Sequence, residues 1–229
     1  MPPEEDVVVS PADARVLVGA LDETSSLFLK GKFFDFEELI GCDKREWLTA
    51  VTGGNFAVFR LTPDKYHYSH TPVAGLVRDL YEVHGRYHAC NPVSIVAEVT
   101  PFSKNARTVT IIDIDVEGGT GVGLVAMIEV TALMIGEVIQ CYSRERYDAP
   151  QRTTTGLFVE RGSPKSLYRP GSGTDVLLFE RGRVVFDADL IANQNRRDVR
   201  SRFSQGFGRP LVETEVAERS RIGIRMVTR

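Results

Sequence analysis

Residues 167–179 read Leu-Tyr-Arg-Pro-Gly-Ser-Gly-Thr-Asp-Val-Leu-Leu-Phe, and they place a Gly-Ser bond, Gly171-Ser172, just ahead of an apolar run. A glycine before a serine leaves the carbonyl carbon uncrowded. If a base takes the hydroxyl proton and a strained turn holds the atoms close, the serine oxygen can attack its own preceding carbonyl. The amide becomes an ester, elimination frees the upstream carboxylate and leaves a dehydroalanine, and hydrolysis of its imine form releases ammonia to give a new N-terminal pyruvoyl group. That ketone is a built-in electron sink for amine chemistry. The same residues also read as a plain Gly/Ser turn entering a strand.

Two upstream stretches hold groups that could serve such a serine. Asp13 follows Ser10-Pro11-Ala12, and His67 and His70 lie within Tyr66-His67-Tyr68-Ser69-His70-Thr71-Pro72. Aspartate, histidine and serine are the parts of a proton relay: the aspartate orients the imidazole, which takes the hydroxyl proton. Their order along the chain does not matter to the geometry. Each has a plainer reading too. Asp13 suits a turn in which it bonds its own backbone. Histidines three apart share a face only on a helix, and Pro72 discourages a long one, so a turn or short helical piece is expected. His84 and His88 bring four histidines into one region. No Cys-x-x-Cys or His-Glu-x-x-His pattern accompanies them, and no metal is expected.

The elements that must position these groups are mostly strands. Residues 7–9 and 15–21 read as strand, turn, strand, and residues 27–29 as another short strand. Residues 34–41 read as a helix capped by Asp35 and closed by Gly41. Residues 55–61 form a β-type run stopped by Thr62-Pro63-Asp64. Residues 108–116 and 124–139 read as β-rich and half to fully buried. Residues 176–179, the turn Glu180-Arg181-Gly182-Arg183, and residues 184–186 read as a β-hairpin. Turn signals recur and long helical patterns are few, so the expected fold is α+β and β-dominated: one domain, residues 1–229, of sheets and hairpins with a few short helices.

A chain of 229 residues can bury a sizeable core, and its formal net charge of −3 argues against a general nucleic-acid binder. Three cysteines, Cys42, Cys90 and Cys141, with no close pairing suggest buried thiols in a reducing compartment. The acidic N-terminus lacks the order of a signal peptide. The most apolar stretch, residues 122–139, is interrupted by Glu129 and Glu137, which favours two buried strands and a turn over a membrane span. Residues 196–229 are rich in arginine; they read as a solvated face, or as a surface that meets phosphate or lipid headgroups.

Taken together, these stretches resemble the phosphatidylserine decarboxylase family of self-cleaving, pyruvoyl-dependent enzymes. Ser10-Pro11-Ala12-Asp13 is similar to the family's Pro-Ala-Asp-Gly motif. Phe28-Leu29-Lys30-Gly31 with Phe36-Glu37-Glu38-Leu39-Ile40-Gly41 is similar to its Lys-Gly and leucine-rich helix. Tyr66-His67-Tyr68-Ser69-His70-Thr71-Pro72 resembles its Tyr-His-x-x-His-x-Pro element, and Phe179-Glu180 with residues 186–193 resembles its end. The resemblance implies cleavage between Gly171 and Ser172, a pyruvoyl cofactor made from Ser172, a triad of Asp13, His70 and Ser172, and His67 as acid or base beside the substrate. It implies phosphatidylserine as substrate. The short N-terminal lead lacks the family's membrane-docking segment, which leaves room for a soluble amino acid instead. A non-catalytic binding member is the alternative outside enzymes. A homodimer, a cytoplasmic location with peripheral membrane contact, and no nucleic-acid partner complete the expectation.

Three departures accompany the resemblance. Gly171-Ser172-Gly173-Thr174 stands where the family has Gly-Ser-Thr, so an ungapped alignment puts Gly173 at the cleavage position. A one-residue bulge at Gly173, where glycine accepts positive φ, would return Ser172 to it. Val73-Ala74-Gly75 lacks the usual aspartate, and Ala14 replaces the glycine after Asp13.

Overall fold

The structure, a computed structural model, describes residues 1–21, 34–98, 100–133, 137–169 and 173–226. The expected strand over residues 27–29 lies outside them, as do Gly171 and Ser172. In chain order come β1 (Val7–Val9), β2 (Ala14–Ala20), α1 (Phe36–Ile40), α2 (Arg45–Val51), β3 (Asn55–Leu61), β4 (Tyr68–His70) and β5 (Gly75–Val83). Then follow α3 (Pro92–Ala97), α4 (Pro101–Lys104), β6 (Arg107–Asp113), β7 (Leu124–Val130), β8 (Glu137–Gln140), β9 (Phe158–Val159) and β10 (Pro164–Arg169). The chain closes with β11 (Gly173–Phe179), β12 (Val184–Phe186), α5 (Ala188–Gln194), α6 (Arg202–Phe207), β13 (Thr214–Val216) and β14 (Arg221–Arg225).

Among the described residues these strands make three sheets, of order β13-β2-β3-β11-β7-β6-β5-β9, β4-β10-β8 and β1-β14-β12. The β-dominated α+β expectation holds, with only short helices beside the sheets. β11 lies in the middle of the large sheet, antiparallel to β3 from Gly173↔Leu61 to Phe179↔Asn55 and to β7 on its other edge. All seven of its residues are buried. That explains its continuous apolar run: a strand covered on both faces has no polar side to alternate with. Each large apolar side chain so buried contributes about 1.5–3 kcal/mol. The strand that begins just after Ser172 is therefore a rigid support.

Four expectations need correction. β11 and β12 are not a hairpin: both edges of β11 are taken by β3 and β7, so the chain turns through Gly182 (φ 71°) and β12 pairs with β14 in another sheet. The second strand of residues 122–139 is not buried, because β8 is an edge strand of the small sheet and is exposed to half-buried. Cys42 is exposed; Cys90 is buried and Cys141 half-buried, and all three are free thiols. The histidine segment is neither turn nor helical piece. Tyr68–His70 is a strand, held by pairing with β10. Asp35 does cap α1, its Oδ1 accepting from Glu38 N at 2.9 Å, and Gly41 closes it at φ 114°.

Candidate active site

Strand alternation sends Tyr68 and His70 to one face of β4 and Ser69 to the other. On the second face, Ser69 Oγ donates to Asp175 Oδ2 at 2.7 Å, and Tyr168 OH donates to Asp175 Oδ1 at 2.7 Å. Tyr168 also ties its backbone N–H to His67 O at 3.0 Å. Asp175 belongs to β11 and Tyr168 to β10, so one buried carboxyl fastens the histidine segment and β10 to the strand following Ser172. Burial and the facing Glu129 push the Asp175 carboxyl up to about 7. An acid inside an otherwise apolar strand was visible in the sequence as an anomaly.

On the first face, His70 is fully buried. Its Nδ1 lies 2.9 Å from Gly162 O. A carbonyl only accepts, so Nδ1 carries the proton and Nε2 is the basic nitrogen. Tyr66 OH stands 3.1 Å from Nε2 and therefore donates to it, while Tyr147 OH bonds Tyr66 OH in turn. Tyr66, Tyr68 and Tyr147 form an aromatic cage, with Tyr66 stacked on Tyr68 at 5.4 Å and Tyr147 edge-on to Tyr68 at 5.1 Å. Burial pulls His70 down to about 4, so the imidazole is neutral at pH 7.

Asp13 comes to this neighbourhood without a bond to the ring. His70 N donates to Pro11 O at 2.7 Å, which lays β4 beside the Pro11–Asp13 turn. The Asp13 carboxylate is half-buried and accepts from Glu218 N at 3.0 Å. It reaches the imidazole through space, where its charge favours the protonated ring against burial and Arg219. The orienting contact expected of Asp13 is made here by the Gly162 carbonyl, a backbone group with no sequence signal. His67 is half-buried; its Nε2 is shut off from water with no partner among the described residues, and burial lowers its pKa. His88 instead belongs to another turn, its N–H bonding Asn105 Oδ1 at 2.7 Å. Among the described residues no three His, Cys, Asp or Glu side chains gather where they could share an ion.

Gly173 is not a bulge. It pairs in register, Gly173↔Leu61 beside Thr174↔Arg60, and its φ is not among the positive ones. Glycine is needed for space: a Cβ there would lie 2.4 Å from Cε1 of the buried Tyr168 ring. We expect Gly173→Ser to cost about 1–3 kcal/mol by overpacking. In a Tyr168→Ala background the added cost should fall to near zero. Urea unfolding of the four proteins measures this, and an equal cost in both backgrounds would place the strain in the backbone instead.

Next to this strand start, a cavity of about 220 Å³ is lined by Arg60, Leu61, Thr62, Cys90, Asn91 and Leu133 among others. Arg60 is held by Glu213 through two hydrogen bonds of 2.9 and 2.7 Å, leaving a guanidinium edge for an anionic group. Burial pushes the Cys90 thiol up to about 11, so it is no nucleophile at neutral pH.

The neutral His70 imidazole is thus buried on the β4 face opposite the one fastened to β11, and the cavity with the fixed Arg60 lies at Leu61, the residue paired with Gly173. A family model described as phosphatidylserine decarboxylase matches residues 1–209. The chain is 30% identical over 206 residues to a phosphatidylserine decarboxylase proenzyme of Fusobacterium nucleatum, covering 89% of this chain and 63% of that one. It is 32% identical over 207 residues to one of Chlamydia trachomatis, covering 90% and 63%. It is 30% identical over 196 residues to phosphatidylserine decarboxylase proenzyme 2 of Oryza sativa, covering 84% and 28%. The chain belongs to the phosphatidylserine decarboxylase family, and it spans less than two thirds of the length of these relatives.

Proposed function

We propose that the chain is a self-processing, pyruvoyl-dependent decarboxylase that acts on phosphatidylserine. The observation that carries this reading is the double fastening of the His67–His70 segment to β11 through Ser69, Tyr168 and Asp175, directly after Ser172. Family membership and the names of the relatives support the substrate. In this reading His70 Nε2 takes the Ser172 proton and Asp13 offsets the charge that forms on the ring. Cleavage at Gly171-Ser172 leaves the pyruvoyl group at the head of the downstream chain. When present, that group supplies an electron sink for loss of carbon dioxide from a bound amine. In the same reading the Nε2 of His67, without a partner among the described residues, would hold or move a proton, and Arg60 would offer its free edge to a carboxylate or phosphate. Among the described residues no helix is long and apolar enough to cross a membrane.

A second reading, a binding member that stays one chain, has one observation behind it. The position where an ungapped alignment expects serine is Gly173, and the Tyr168 ring closes that position to any side chain. A denaturing gel with intact mass separates the two readings. The enzyme runs as two chains, and an amine substrate plus a hydride reductant leaves an adduct on the fragment beginning at residue 172. Vesicles holding phosphatidylserine should release carbon dioxide; release from free serine or tryptophan alone would move the substrate to a soluble amino acid. A protein that stays intact after long incubation would reject the enzyme.

A further inference from the structure

A second cavity, of about 460 Å³, opens between the residues that follow α5 and helix α6, and it shares no lining residue with the cavity beside Gly173. Its wall carries four guanidinium groups, from Arg196, Arg197, Arg200 and Arg209, together with Ser204 and Gln205, and no carboxylate lines it. Asp198 stands beside it and takes two hydrogen bonds from Arg196, at 3.1 and 2.6 Å. Among the described residues Arg196 is the only one of the four in an ion pair.

Arg209 differs from the other three. They are exposed, whereas Arg209 is half-buried, and its Nε and Nη2 are closed to water without a hydrogen-bond partner among the described residues. Two buried N–H donors with no acceptor are unfavourable, and gathering four like charges adds repulsion. A molecule with net charge −3 has no general reason to concentrate cations here. An entering anion relieves both effects at once. Among anions, phosphate fits best, because its oxygens match the planar guanidinium fork bidentately and several arginines can share one tetrahedral group. Gln205 adds a neutral amide donor at the same wall.

We propose that this arginine pocket is a binding site for a phosphate group, separate from the site at β11. A lipid headgroup and a soluble phosphate ester both present that group. Neither β11 nor the histidines take part, so binding is independent of cleavage and of the decarboxylase reading.

The test uses the full chain in a low-salt buffer free of phosphate. Inorganic phosphate is titrated calorimetrically, and flotation is run with phosphatidylcholine vesicles with and without phosphatidylglycerol. Saturable binding is expected that weakens as salt is added. Arg209→Gln and Arg200→Gln should each weaken it by about tenfold. Arg200 is exposed, so its variant keeps the fold. Arg144→Gln, at a 75% exposed side chain outside the pocket, should leave binding unchanged. Phosphate binding without flotation assigns a soluble ester, and flotation lost in the pocket variants assigns a bilayer headgroup. No binding of either probe, or equal weakening by Arg144→Gln, overturns the proposal.

Discussion

His70→Ala should leave the chain whole, whereas His67→Ala should still cleave and then lose turnover. In the proposed reading the two imidazoles have separate work. His70 has its proton fixed on Nδ1 by the Gly162 carbonyl, so Nε2, which accepts from Tyr66 OH, is its basic nitrogen. No other imidazole is anchored to both β10 and the Pro11–Asp13 turn. Losing the base should slow processing by at least about a hundredfold, the low end of general-base contributions. His67 has a nitrogen buried without a partner among the described residues, and the proposed reading assigns it to the substrate.

The pH dependence carries a sign. Burial has depressed His70 to about 4, so the neutral, active ring is present across the physiological range and is lost only as pH falls through that value. Processing should therefore be level from neutral pH down to about 5 and should decline below that, roughly tenfold per pH unit. Timed gels, with circular dichroism at each pH to confirm folding, would show this. A decline centred near 6.5, the ordinary value for histidine, would mean the base is a solvated imidazole and not His70. Normal two-chain processing in His70→Ala would remove His70 from the reaction altogether.

The parts of the fold that the sequence made legible are those where local pattern and tertiary demand agree. The apolar run after Ser172 announced β11 because burial on both faces removes alternation. Asp35 and Gly41 announced α1. β5 was missed because Arg78, Asp79 and Glu82 break its run; Asp79 sits there only because Lys44 and Trp47, far upstream, donate to it at 3.1 and 3.0 Å. The false hairpin shows the other failure. A turn signal says where the chain reverses, not which neighbours take the strand edges, and β3 and β7 had taken both edges of β11. β14 was legible in hindsight: Arg221-Ile222-Gly223-Ile224-Arg225 keeps its polar ends exposed and buries Ile222 and Gly223. Tyr147 and the Gly162 carbonyl had no local signal, since only the assembled sheets bring them to His70.

Lys165→Met should cost about 3–5 kcal/mol, because it removes one partner of a buried ion pair. Lys165 and Glu129 are both fully buried, with Nζ 2.6 Å from Oε2. Gln140 completes the cluster, donating to Glu129 at 2.9 Å and accepting from Lys165 at 2.9 Å, and Ser166 donates to the other Glu129 oxygen. Lys165 and Ser166 lie in β10, Gln140 in β8 and Glu129 in β7, so the cluster bolts the small sheet to the large one. It matters more because Glu129 faces Asp175 directly across the β7–β11 ladder. Without the lysine, two buried carboxyls oppose each other with no compensating charge, and the one that fastens Ser69 and Tyr168 is among them. Asp175, already pushed up to about 7 by burial with Lys165 opposing the rise, is then expected to hold its proton to higher pH in the folded variant, where the unfolded chain would have lost it. The folded variant thus binds more protons, so its stability falls as pH rises, and its deficit against wild type should be larger at pH 8 than at pH 5. Adding Glu129→Gln to Lys165→Met should recover at least about half of the loss, since a neutral amide leaves no bare charge. Urea unfolding of the three proteins at both pH values measures all of this. A deficit that is the same at pH 5 and pH 8, with no recovery in the double variant, would mean that lost packing of the lysine stem, rather than an uncompensated charge, accounts for the loss.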